Sequence, residues 1–163
     1  MITRCYLEIT NVCNLDCKFC PKTERAKHRL TLEEFDLLTD KLQYHIKFLY
    51  FHLMGEPFLH PLLPDFIKMA RRKGFVPVLT TNGTLLSKGE EVIDALPHKI
   101  QISLHSQEGN GKEHPEEYIR QVMVFGPTNR LYWLVIWVFN IALGVVLHKL
   151  VTGFMARRRI HAA

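Results

Sequence analysis

The chain has 163 residues, 47% of them apolar and 23% charged, which is the make-up of one ordinary globular domain and excludes a disordered or low-complexity chain. Its net charge of +5 is uneven. From Leu131 onward there are four basic residues (Lys149, Arg157, Arg158 and Arg159) and no acidic one, which leaves 17 basic against 16 acidic groups before it. That near-neutral body argues against a nucleic-acid-binding surface, so no nucleic-acid partner is expected.

In chain order, residues 4–9 predict a short first strand, and residues 10–30 a polar loop holding three of the four cysteines. A helix opens at Thr31, where Glu34 completes a capping box and Leu30 and Phe35 occupy the staple positions. Leu32, Phe35, Leu38 and Leu42 then recur at helical spacing. Residues 47–53 predict a second strand. A second helix runs from about Pro64 to Lys73, with Gly74 as its stop. Residues 75–79 predict a third strand. Ser87 and Glu90 offer another capping box, for a helix ending near Pro97, and residues 99–104 a fourth strand. A weaker helical pattern covers 115–125. Strand–helix repeated four times predicts an α/β fold with an open parallel sheet of about four strands. Chemistry in such a fold gathers at the C-terminal ends of the strands.

Each predicted strand ends in a polar cluster: CNLDCKFC, then MGEP, then TTNG, then HS. Cys13, Cys17 and Cys20, spaced C-x3-C-x2-C, suit three irons of a cubane with the fourth iron open. The competing reading is a closed zinc site with Cys5 as fourth ligand. Cys5 itself reads as plain core, as a free cysteine in a strand usually is. His52, ending strand two, reads as a satisfied core histidine. Asn82-Gly83 is by itself a common turn signal. Ser103 and His105 are expected to share one face of strand four.

CNLDCKFC, with the aromatic Phe19 before its third cysteine, closely resembles the cluster loop of radical S-adenosylmethionine enzymes. MGEP resembles that family's glycine–glutamate–proline motif, with Met54 where a first glycine is usual. TTNG and ISLHS resemble its third- and fourth-strand segments. The resemblance covers about residues 2–125 and implies a partial (β/α) barrel carrying a [4Fe-4S] cluster on Cys13, Cys17 and Cys20. It further implies S-adenosyl-L-methionine bound by Gly55, Glu56, Pro57, Asn82, Ser103 and His105. The implied reaction is reductive cleavage of that cosubstrate to a 5′-deoxyadenosyl radical. It requires an external electron donor and a substrate that the sequence does not identify.

The family's barrel has six strand–helix units, against the four read here. Residues 131–147, LYWLVIWVFNIALGVVL, are almost wholly apolar and too long for one strand. The expectation is a core domain over 1–126, a C-terminal apolar and transmembrane helix over 131–150, and a basic tail over 151–163. Two alternatives stand beside it: a rearranged gene product with an incidental tail, or a fifth strand formed by part of LYWLVIWVF. The cysteines require a reducing compartment, so the expected location is the cytoplasmic side of a membrane contacted through 131–150. An incomplete barrel also exposes a sheet edge open to self-association. The rival functions are a catalytically inactive iron–sulfur remnant and a membrane-attached binding module.

Overall fold

The structure, a computed structural model, describes residues 3–106, 115–128 and 134–136. Five strands, β1 (Arg4–Tyr6), β2 (Phe48–Tyr50), β3 (Val76–Thr81), β4 (Lys99–Ile102) and β5 (Leu134–Ile136), lie side by side in chain order. Every neighbouring pair is parallel. The helices are α1 (Leu32–Leu42), α2 (Leu63–Arg72), α3 (Gly89–Asp94) and α4 (Pro115–Thr128), which continues through Gly126 and Pro127. Strands joined this way need a crossover, and the parallel order places all their C-terminal ends on one rim.

The ends of α1 and α2 follow local rules. The Thr31 hydroxyl accepts from the Glu34 amide at 3.1 Å, and the Glu34 carboxylate accepts from the Thr31 amide at 2.8 Å. Pro64 sits in the first turn of α2, with Arg71 and Arg72 in the last. Gly74, at φ +85°, closes α2: its amide reaches Arg71 O at 3.0 Å, and the Phe75 amide reaches Ala70 O at 3.0 Å. That pair of bonds is a Schellman motif.

The core lies between the sheet and its helices. Phe35 of α1 stacks on Phe66 of α2 at 4.4 Å and meets Phe51 edge-on at 5.5 Å. Leu49, Leu79, Ile100 and Ile102 complete it from the strands. Cys5 packs against this core, as expected.

Four expectations change. The second capping box does not form: Ser87 lies inside a 3-10 turn, Leu86–Lys88, and α3 starts from Lys88 without a side-chain cap. Strand four ends at Ile102, and Leu104–Ser106 is a 3-10 turn, so Ser103 and His105 do not share a strand face. The Ser106 amide closes that turn on Ser103 O at 3.1 Å. Within the apolar run, residues 134–136 are a strand paired to β4, so no continuous helix spans 131–150. Among the described residues, no helix is long and apolar enough to cross a membrane. The remainder of that run and the basic tail over 151–163 lie outside the described residues. Lastly, His52 is not fully satisfied. Its Nε2 lies 3.2 Å from Thr80 Oγ1, while Nδ1 is buried without a hydrogen-bond partner.

Candidate active site

The rim is built from loops that hydrogen-bond to one another. The cysteine loop leaves β1, and the MGEP loop leaves β2 and rests on it. The Glu56 amide donates to Val12 O at 2.8 Å, and the Met54 amide donates to Glu8 Oε2 at 3.0 Å. Glu8 is also paired with Arg25, from the far side of the cysteine loop, at 2.8 Å. Gly55 has φ +77°, and a Cβ there would lie 2.3 Å from Thr10 O. Only glycine permits both the conformation and the approach.

Glu56 is the junction. Its side chain is 1% exposed. Its Oε1 accepts from the Phe58 amide at 3.0 Å and from the Thr81 hydroxyl at 2.7 Å, and its Oε2 accepts from the Asn82 amide at 2.7 Å. These bonds cap the turn Pro57–Leu59, whose first residue is the buried Pro57, and bind MGEP to TTNG. Burial pushes the Glu56 carboxyl above its ordinary range, against the opposing pull of the three donors.

Asn82 joins TTNG to the cysteine loop. Its Nδ2 donates to Asn14 Oδ1 at 3.0 Å and to Cys13 Sγ at 3.9 Å. Its Oδ1 accepts from the Thr84 amide at 2.9 Å and from the Thr84 hydroxyl at 2.7 Å. Asn14 Nδ2 closes the ring on Thr84 Oγ1 at 2.8 Å. Tyr118 of α4 donates to Asn82 O at 2.8 Å, and Gly83 at φ +75° leaves room for it, since a Cβ there would fall 2.6 Å from its hydroxyl.

The three cysteines differ in setting: Cys13 is exposed, Cys20 half-buried and Cys17 buried. The Cys20 amide folds back on Cys17 O at 3.1 Å. Cys13 Sγ also accepts from the Leu15 amide at 3.4 Å, and although the residue is exposed, partial desolvation of its sulfur pushes the thiol up against the pull of that bond. Cys17 Sγ donates to Ser106 O at 3.8 Å, a bond available only to the protonated thiol and given up by a thiolate ligand. Phe19 stands against His105 with ring centres 4.7 Å apart. The cysteine loop therefore touches the turn after β4 as well as TTNG.

The donor set fits a cubane. Three thiols on one loop would supply one thiolate to each of three irons, and the fourth cysteine, Cys5, lies in β1 and not on that loop. Among the described residues, no three His, Cys, Asp or Glu side chains, the three cysteines included, form a group that could hold a single metal ion. Cys5, the fourth ligand of the zinc reading, is half-buried in β1 and packs against the core.

Gly55, Glu56, Pro57 and Asn82 thus come together with Cys13, and Ser103 and His105 border the same rim. The Ser103 amide donates to Thr81 O at 2.8 Å. Sequence reasoning missed Glu8, Asn14, Thr81, Thr84 and Tyr118. No spacing rule marks them: Tyr118 lies 36 positions from the asparagine it touches.

The chain matches the radical SAM superfamily over residues 7–133 and belongs to it. Members of that family are enzymes that use a [4Fe-4S] cluster and S-adenosylmethionine. A tungsten-containing aldehyde ferredoxin oxidoreductase cofactor-modifying protein of Pyrococcus furiosus is 37% identical over 87 residues, 50% of this chain and 24% of that protein. The chain therefore spans about a quarter of that relative's length. The crystal structure of Streptococcus suis SuiB bound to S-adenosylmethionine superposes with a TM-score of 0.60 at 16% identity, covering 77% of this chain and 32% of that one. BtrN in complex with AdoMet and 2-DOIA gives 0.57 at 21% identity, covering 63% and 45%. Both likenesses concern the fold.

Proposed function

We propose that this chain is the cofactor-binding part of a radical S-adenosylmethionine enzyme. In this reading Cys13, Cys17 and Cys20 hold the cluster, and the MGEP, TTNG and ISLHS loops hold the cosubstrate. The observation that carries it is the knot of hydrogen bonds through Glu56 and Asn82, which ties the ends of β2 and β3 to the cysteine loop.

A cluster held by Cys13, Cys17 and Cys20 would supply the electron for reductive cleavage of the S-adenosylmethionine sulfonium. The protein supplies position and a dry site. Glu56 orients the MGEP turn, and a carboxylate has about four acceptor positions, of which three donors use three. The fourth is the position we assign to the cosubstrate ammonium. Gly55 and Pro57 shape the turn that presents it. Ser103 and His105, at the rim beyond β4, are assigned to the nucleoside. An external reductant delivers the electron.

A second reading, a cluster-binding remnant without turnover, draws on the short coverage of the relatives. Anaerobic reconstitution followed by dithionite and S-adenosylmethionine decides between them. The enzyme reading expects 5′-deoxyadenosine and methionine in equal amounts. A loaded cluster that releases neither supports the remnant and overturns the enzyme.

A further inference from the structure

We propose that Asn82 is a positioning residue for the iron–sulfur cluster: its amide orients Cys13 and donates to that sulfur, raising the cluster's reduction potential. The inference rests on the reading that Cys13 is a cluster ligand. It gives Asn82 a task different from the cosubstrate contact that the family resemblance implies.

Every polar group of Asn82 is engaged. A side-chain amide has two N–H donors and one carbonyl acceptor with two lone pairs. One N–H goes to Asn14 and the other to Cys13 Sγ, while both lone pairs go to Thr84. Its backbone is occupied as well, the amide by Glu56 and the carbonyl by Tyr118. The residue is only 8% exposed. Nothing in this amide remains for a nucleoside or a methionine. Instead its orientation is fixed from behind by Thr84, and Thr84 also holds Asn14, the neighbour of Cys13. The side chain cannot flip without placing its oxygen against Asn14 Oδ1 and its N–H groups against the Thr84 amide.

Cys13 consequently receives two N–H donors, from Leu15 and from Asn82. Hydrogen bonds to ligand sulfurs withdraw charge from the thiolate and stabilise the reduced cluster, which is one of the protein's means of setting potential. The Leu15 bond is local to the loop. The Asn82 bond arrives from β3, and Glu56 anchors that strand end beside the MGEP turn. The sulfur is therefore wired to the same knot that we assign to the cosubstrate.

The test is an EPR-monitored redox titration of the reconstituted full chain without S-adenosylmethionine. Asn82→Ala and Asn82→Asp are compared with the parent, and iron and sulfide are quantified in each. The expected result is a shift to lower potential in both variants, larger for Asn82→Asp, whose carboxylate adds charge and donates nothing. Thr84→Val, which keeps the Asn82 amide and the backbone bond to its Oδ1 but removes the hydroxyl that holds Asn82 and Asn14, should shift the potential less and in the same direction, and it serves if the Asn82 variants do not fold. Loaded variants with the parent's potential overturn the proposal, even if their iron content falls, because a purely structural role lowers loading alone. A parent chain that takes up no iron and sulfide overturns the cluster reading itself, and this proposal with it.

Discussion

Gly55 is held by contact as well as by conformation. Gly55→Ala places a left-handed non-glycine residue with its Cβ 2.3 Å from Thr10 O, a backbone atom that cannot swing aside. We expect a loss of about 2–4 kcal/mol from the strain and the displaced loop, read from the denaturant midpoint. Glu56→Ala leaves the Phe58, Thr81 and Asn82 donors without their acceptor, a loss of about 3 kcal/mol on the same assay. His52 gives a pH signature. Burial lowers it from 6.5 to about 4, so between those values the unfolded chain binds more protons than the folded one. Its contribution to stability is fully present above pH 6.5 and is lost as pH falls towards 4. His52→Phe should flatten part of that slope, leaving the share of His60, which burial also lowers. An unchanged slope would show that His52 is protonated alike in both states. The motif residues Gly55 and Glu56 were visible in the sequence. Their partners were not, because they belong to other loops and meet only in the fold.

At the scale of elements, α1 and α3 make a controlled pair. Both carry a capping-box sequence, and only the first forms it. Thr31→Ala should cost about 1 kcal/mol, whereas Ser87→Ala should stay within about 0.5 kcal/mol of the parent, both read by thermal melts. The reason lies in packing. Gly89, the first residue of α3, approaches α4 so closely that a Cβ would lie 2.1 Å from a Phe125 ring atom. That contact fixes where α3 starts, and the turn closed by the Lys88 amide on Leu85 O at 3.0 Å leaves Ser87 behind the start. A capping rule reads four neighbouring residues and is blind to a phenylalanine 36 positions away. The same limit applies to the apolar run: its length suggested a helix, and residues 134–136 join the sheet because β4 offers them an open edge.

Across the whole molecule, the strand–helix alternation was enough to place the four polar clusters on one rim, since parallel strands in chain order leave no other arrangement for their ends. The alternation did not reveal the fifth strand found among the described residues. A chain stopped after Thr128 loses β5 and bares β4, and light scattering should find it self-associated at micromolar concentration where the full chain is not. A monodisperse monomer would show that β5 is dispensable. The central claim is narrower: three particular sulfurs on one loop hold an iron–sulfur cluster, and the fourth cysteine does not. Iron and acid-labile sulfide counted after anaerobic reconstitution test this directly. The account predicts four of each per chain. It predicts the same count in Cys5→Ala, and loss of the intact cluster in each of Cys13→Ala, Cys17→Ala and Cys20→Ala. Zinc without sulfide in the purified chain, or a cluster lost with Cys5, would contradict it.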